Sequence, residues 1–334
     1  MKQNTFKKAF SMLELIFVIV ILGIVASIGS SVIVKVYEAY IVQRAVHNAS
    51  LKTELAVNIL ANRLTYRIDR SLVAHVPGGF GIGDMLPLAG LPAANANTHR
   101  ALEWIGYEND GFSTQGSAVA GTLPAWSGFV DLNHVNTNFN RFISTASDLA
   151  AENTILGHLF PNMQNPAIYF RGVETYRTDL DAAGNPFRYN AACMHSIDGT
   201  PGCMFPVNLN APDTVAFTGG GNRIAVPAVP APVMRYTEQY QLAASAYTVA
   251  PEPNDNVGRQ TVNGTQVWDL FLYTDYQPWV ANTIYTQGTK RLLLPNVSVF
   301  RFKKEANSVR IKICSIESIG DNDISICKEK AVIR

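Results

Sequence analysis

Charge is scarce in this chain. Only 16% of its 334 residues are Asp, Glu, Lys or Arg, and 27 basic against 26 acidic side chains leave a formal net charge of +1. A protein that grips nucleic acid through its phosphates needs a basic face, so nucleic acid is not expected as a partner. The readable marks of catalysis are missing too. The six histidines form no HExxH pair, there is no GxSxG elbow, and the four cysteines contain no CxxC. Gly81-Ile82-Gly83 lacks the third glycine and the preceding strand of a dinucleotide fingerprint. Residues 321–323 and 111–116 are oxygen-rich but depart from the EF-hand pattern. Calcium on those loops is the alternative to the simpler reading that surface turns favour Asp and Asn. The expectation is therefore no catalytic residue, no metal and no cofactor. No internal repeat of roughly 20 to 50 residues is visible, which argues against a solenoid.

What is present is unevenly distributed. Apolar residues make up 47%, with 24 Gly and 17 Pro, too apolar for disorder and too rich in turn formers for a mainly helical body. Residues 10–34 are almost wholly apolar and follow Lys2, Lys7 and Lys8. At ~1.5 Å per residue this run crosses a ~30 Å hydrocarbon core, and the leading lysines predict a cytoplasmic start with an exported body. A cleaved secretory signal with its site among residues 26–31 is the competing reading. Glu14 is the only ionisable side chain between Lys8 and Lys35. At the bilayer centre an unpaired charge costs on the order of 2.5–3.5 kcal/mol, so Glu14 needs either a partner or a solvated place near the interface.

Beyond the apolar run, Val42, Val46, Ala49, Ala56, Leu60, Leu64, Ile68 and Leu72 recur at helical spacing. They predict an amphipathic continuation over 35–76, helical to about Leu72 and stopped by Val76-Pro77-Gly78-Gly79. Gly23 and Gly29-Ser30-Ser31 weaken the helix locally and suit close packing against another helix. Residues 77–334 then read as a β-rich body. An extended loop over 78–101 precedes strands near 101–107, 167–170, 268–273, 297–302 and 308–314, with 303–307 as a hairpin loop. The proline-rich stretch 225–233 is stiff and marks either a break between two lobes or a surface crossing. The fold class expected is α+β, a long N-terminal helix packed on an antiparallel sheet body with long loops.

All four cysteines fall in the part expected to be exported, where disulfides form. Of three connectivities, the local one is favoured, because Cys193 and Cys203 bracket a turn-rich loop while Cys314 and Cys327 would pin the chain's end to the last strand. Trp104, Trp126, Trp268 and Trp279 could line a sugar- or polymer-binding face, but in a β-rich body core packing is the commoner use.

The run Lys7-Lys8-Ala9-Phe10-Ser11-Met12-Leu13-Glu14-Leu15, followed by IFVIVILGIVA, resembles the class III leader and processing site of type IV prepilins and type II secretion pseudopilins. The resemblance implies a leader over 1–9, cleavage by the prepilin peptidase between Ala9 and Phe10, and N-methylation of Phe10. The family usually carries Gly where this chain has Ala9. It also implies a partner for Glu14, the amino terminus of a neighbouring subunit, which turns a costly lone charge into an intermolecular pair. Lys7, Lys8, Ala9 and Phe10 are thus the expected processing residues and Glu14 the assembly residue.

The chain is longer than the usual major pilin, and its 60–70 and 294–302 segments are similar to large minor pilins and J-type minor pseudopilins. The resemblance implies a low-copy subunit, held as a single-pass protein in the inner membrane with a periplasmic body. It then joins a type IV pilus or type II secretion pseudopilus that it primes or caps. Its partners would be the prepilin peptidase, other pilins or pseudopilins, an inner-membrane assembly platform driven by a cytoplasmic ATPase, and membrane lipid before assembly. The alternatives are a pilus-borne adhesin and a membrane-tethered periplasmic enzyme that uses the helix only as an anchor.

Overall fold

Ser11 starts the long helix. Its hydroxyl accepts the Glu14 backbone N–H at 3.3 Å, the N-cap arrangement that satisfies one of a helix's unpaired amides. Helix α1 then runs over Met12–Thr65, 54 residues, about 80 Å at the α-helical rise. The computed structural model describes residues 11–80, 84–113, 123–138, 140–161, 166–171, 194, 204–210, 212–218, 237–252, 261–262, 264–280, 283–319 and 322–333. Lys7, Lys8, Ala9 and Phe10, the Cys193/Cys203 pair and the 225–233 stretch lie outside the described residues.

Helix α1 has two environments. Every residue from 11 to 41 is exposed, although an 18-residue window there reaches a mean hydropathy of 2.7. From Ala49 onward one stripe turns inward: Ala49, Thr53, Ala56, Val57, Leu60, Ala61 and Leu64 are buried, at the spacing of a single helix face.

The helix ends at Thr65, short of the Leu72 that the apolar rhythm predicts. The ending falls just before Arg67. Arg67 is fully buried and turns back so that its guanidinium donates to the Leu64 carbonyl at 2.8 Å and to the Asn307 carbonyl at 2.9 Å. The backbone meanwhile turns extended: the Ile68 N–H donates to Ile105 O at 2.8 Å and the Tyr107 N–H to Tyr66 O at 2.8 Å. Ile68 and Leu72 are buried as expected, but as extended residues on either side of a short 3-10 turn over Asp69–Ser71. The 35–76 unit is therefore α-helical only as far as Thr65.

The strands are β1 (Val73–His75), β2 (Met85–Pro87), β3 (Ala101–Ile105), β4 (Arg141–Ile143), β5 (Ala167–Phe170), β6 (Phe205–Asn210), β7 (Thr214–Phe217) and β8 (Tyr240–Ala243). They continue with β9 (Ala246–Glu252), β10 (Thr261–Val262), β11 (Thr265–Gln266), β12 (Trp268–Tyr276), β13 (Thr289–Glu305), β14 (Ser308–Ile319) and β15 (Asn322–Ile333). Helix α2 is a single turn, Asp110–Ser113, and α3 spans Leu149–Leu159. An eight-stranded antiparallel sheet has the order β15-β14-β13-β12-β9-β3-β1-β2, and a five-stranded one the order β4-β7-β6-β5-β8. The chain is thus α+β, with one long apolar N-terminal helix and a large antiparallel sheet.

The inward stripe of α1 lies on the β13–β15 end of the large sheet. Leu60 and Leu64 join Trp104, Leu270, Phe300 and Ile311 in one apolar cluster. Burying Val57, Leu60 and Leu64 contributes ~1.5–3 kcal/mol each. The Thr53–Ser315 hydroxyl pair at 2.8 Å adds about 1 kcal/mol, and the rim contact of Lys328 with Glu54 at 3.5 Å adds less than about 1. Apolar burial decides where the helix sits; the polar contacts set its register. The smaller sheet has its own core, with Phe142, Phe170, Phe205 and Leu242 among its members, and α3 lies against β6.

Strands β14 and β15 form a ladder of twelve residue pairs in which Cys314 opposes Cys327, and the two sulfurs are bonded. A 13-residue separation corresponds to roughly 3 kcal/mol of stabilisation in the loop-entropy account. Peptide mapping without reductant should recover Cys314 and Cys327 in one linked species, and the Cys314→Ala/Cys327→Ala pair should lower the unfolding free energy by about that amount. Crossed linkage to either of the other cysteines would contradict the pairing.

Candidate functional site

Two features stand out as candidates, the bare half of α1 and a buried carboxyl pair in the body. On α1, Glu14 occupies the first turn, where the positive end of the helix dipole favours an acid by ~0.3–1 kcal/mol. Ser11 and Glu14 have the spacing of a capping box, and the Ser11 half of it is formed. Above Glu14 the helix presents Ile16, Phe17, Ile19, Val20 and their neighbours to the outside. Gly23 and Gly29 have no atom within 4 Å of a would-be Cβ, so their faces are open to another helix.

The predicted residues do not converge. Glu14 lies 39 residues before Thr53, whose hydroxyl bonds Ser315 next to Cys314; along the helix that is about 60 Å. Glu14 and the Cys314–Cys327 bridge thus sit at opposite ends of the helix, one on the bare segment and one beneath the anchored segment.

The carboxyl pair was not legible in the sequence. Glu108 follows β3, and its two oxygens take three N–H donors: Asp110 N–H on Oε1 at 2.8 Å, Gly111 N–H on Oε2 at 2.7 Å, and the Trp126 indole on Oε2 at 3.1 Å. Glu152 stands in the first turn of α3 and is 0% exposed. Its carboxyl lies so close over Gly111 that a Cβ there would meet Glu152 Oε2 at 1.6 Å and Glu108 Oε2 at 2.8 Å. Only glycine fits. No N–H reaches either Glu152 oxygen among the described residues; what faces it is the Glu108 carboxylate.

Two carboxylates in such contact cannot both be ionised. Burial first, then the charge of Glu108, pushes the Glu152 carboxyl up to about 9. Burial also raises Glu108, against the pull of its N–H donors. At neutral pH Glu152 therefore keeps its proton and donates it to Glu108. A shared proton of this kind is a chemical resource where substrate can reach it. Here Glu152 is sealed from solvent while Glu108 borders the adjoining cleft, and the pair clamps the start of α3 to residues 108–111. The adjoining cleft of about 410 Å³ contains Glu108, Asp110, Asp275, Arg63 and Arg291.

A second buried polar network crosses the large sheet. His75 Nε2 contacts Glu103 Oε2, the Tyr276 hydroxyl donates to Glu103 Oε1 at 2.7 Å, and Thr248 meets the Tyr276 oxygen at 2.5 Å. Burial, then the charge of Glu103, lifts the Tyr276 phenol well above its ordinary range, so it stays a donor. Among the described residues no group of three or more His, Cys, Asp or Glu side chains is placed to hold a metal ion. Trp104, Trp126 and Trp279 are buried.

No protein-family model, curated protein or solved structure matches the chain.

The carboxyl pair sets a pH dependence. The folded state holds the Glu152 proton up to about pH 9, whereas the unfolded chain releases it near its ordinary value of 4.5. Between those limits the folded state binds more protons, so stability falls as pH rises, by at most ~1.4 kcal/mol per pH unit from this group. Glu152→Gln keeps a donor toward Glu108 without a titrating proton. In urea unfolding of the full-length protein at pH 5 to 9, it should flatten the decline by about that slope and be the more stable form at pH 8. Parallel curves for the two proteins would show that Glu152 does not hold the proton.

Proposed function

We propose that the protein is a low-copy, pilin-like subunit, processed by prepilin peptidase between Ala9 and Phe10 and assembled into a type IV pilus or type II secretion pseudopilus. The observation that carries this reading is the division of α1. An apolar segment with Glu14 near its start stands wholly outside the body, and the same unbroken helix is seated by its second half in the core of the large sheet. That is the form required of a subunit whose helix lies first in lipid and later among the helices of its neighbours. A detachable leader or a simple tether has no need of a helix continuous with the core.

In this reading the lysines ahead of the helix stay in the cytoplasm, and the body, with its Cys314–Cys327 bridge, is periplasmic. Removal of residues 1–9 frees an amino group on Phe10. Glu14 of one subunit pairs with that amino group on the next, as the resemblance of residues 7–15 to class III leaders implies. The open faces at Gly23 and Gly29 admit close helix contacts, which in an apolar medium depend on small residues. The subunit primes or caps the fibre, consistent with its resemblance to large minor pilins and J-type pseudopilins.

Intact mass and amino-terminal sequencing of protein from membranes with and without the peptidase test the proposal. The expected product begins with N-methylated Phe10 and depends on the peptidase. Because Glu14 also sits at the helix N-terminus, two variants are needed. Glu14→Gln keeps the side-chain length and hydrogen-bonding capacity, and Glu14→Ala removes both. Both should be inserted and processed, and both should be lost from sheared or purified fibres. An uncut Met1 start, or normal incorporation of both variants, would favour the tethered periplasmic protein instead.

A further inference from the structure

Beside β8 lies a cavity of about 230 Å³ whose walls are mainly aromatic carbon from Tyr107, Phe112, Trp126, Phe129 and Tyr240. The rings are tilted against one another: Phe112 and Trp126 meet at 55° with centroids 5.0 Å apart, Trp126 and Tyr240 at 37° and 5.7 Å. Such rings do not close on each other as a flat stack. Phe112 is 47% and Phe129 54% exposed, so two large apolar side chains flank the opening. The rim is fixed by backbone bonds. The Tyr240 N–H donates to Gly128 O at 2.9 Å and the Arg171 N–H to Gln239 O at 2.9 Å. Gly128 has φ +78°, and a Cβ there would come 3.2 Å from the Tyr240 carbonyl.

Among the described residues, two polar side chains on this wall make no side-chain hydrogen bond. Gln241 is only 7% exposed, yet no described hydrogen bond engages its carboxamide. Its carboxamide is not sealed from solvent, so water meets it until a ligand in the cavity takes that water's place. Arg171 lines the same cavity, and its guanidinium makes no described ion pair or hydrogen bond. The Glu108 charge behind Trp126 is already met by three N–H donors. A mainly apolar concavity with a few converging polar groups is the usual form of a small-ligand site. The volume suits one ring with a short substituent. The exposed Arg171 guanidinium and the Gln241 amide are hydrated donors on one wall of the cavity, and an anionic oxygen pair is the group that Arg binds in forked geometry.

We propose that this cavity binds an aromatic ring carrying a carboxylate. The ring lies among Phe112, Trp126 and Phe129, and the carboxylate meets Arg171 and Gln241. Such a group comes either from a free aromatic acid or from the terminal aromatic residue of a polypeptide. The site stands apart from α1 and does not depend on the fibre reading.

The test is titration of the ¹⁵N-labelled full-length protein in detergent, following the Trp126 indole signal, assigned with Trp126→Phe. The ligands are phenylacetate for the free acid and N-acetyl-phenylalanine for the chain terminus. At least one should shift the signal saturably. Arg171→Gln, at an exposed position, should weaken that binding by about tenfold or more, and N-acetyl-phenylalaninamide should bind correspondingly worse than its acid. Whichever acid binds more tightly identifies the source. No saturable shift with either acid would overturn the proposal. So would equal binding by Arg171→Gln, or a tetramethylammonium ion that shifts the signal as strongly as the acids.

Discussion

The seat of Leu60 and Leu64 on the β13–β15 end of the large sheet is the contact on which the rest depends. One helix has to satisfy two different surroundings, and only its second half has a partner inside the chain. Residues 11–41 contribute nothing to the core, so their direction is set entirely by the buried stripe from Ala49 to Leu64. Proline, a common cause of sharp helix kinks, is absent from α1. Gly23 and Gly29 lower helix propensity, yet α1 runs through both without interruption. The bare segment is therefore an extension of the sheet's packing, and a change in the seat would redirect it as a lever is redirected at its pivot.

Buried polar groups recur where the chain changes direction. Arg67 closes α1 and ties it to the β13–β14 turn through Asn307. Glu108 and Glu152 join the exit from β3 to the start of α3. His75, Glu103, Tyr276 and Thr248 link β1, β3, β12 and β9 across the sheet. Burying such groups is expensive, and an apolar replacement of equal shape is often as stable or more so. Their placement at junctions points to what they supply, a single allowed arrangement of elements that apolar contact alone would leave free to slide.

Much of the fold was legible because period and burial agree there. Val297, Val299 and the alternation Val309, Ile311, Ile313 marked β13 and β14, and both strands are present. Two boundaries were not legible. Lys303, Lys304 and Glu305 read as loop because they are charged, but they extend β13, leaving Ala306 and Asn307 as the turn, with Ala306 at φ 49°. An edge of sheet beyond the core carries polar residues as readily as a loop does. The apolar rhythm also overran the helix, since Ile68 and Leu72 are buried whether the backbone is helical or extended. Arg67 decided the ending, through a tertiary contact with Asn307 240 residues away. Glu108 and Glu152 are 44 residues apart with no shared motif. Only Gly111, read beside an acid three residues earlier, hints at close approach, and it cannot name the second acid. Trp126 was correctly assigned to core packing, but that reading hid the cavity it borders, because Phe112 and Phe129 beside it remain exposed.

In the proposed fibre, the position of Glu14 matters as much as its charge. At the helix start the dipole and the N-cap favour an acid by only ~0.3–1 kcal/mol, which does not offset the ~2.5–3.5 kcal/mol of carrying it to the bilayer centre. In the first turn of α1 it need not be carried there: a helix lying in lipid leaves that turn near the headgroups, in contact with water. In the proposed fibre the full cost would arise only when the helix leaves lipid and is enclosed by other helices, where a free amino group would be the partner that removes it. An acid deep in the apolar run would oppose insertion at every stage. In the proposed fibre, one at the first turn would be tolerated in the membrane and would demand a match during assembly, so the same side chain would permit storage and select for correct stagger between subunits.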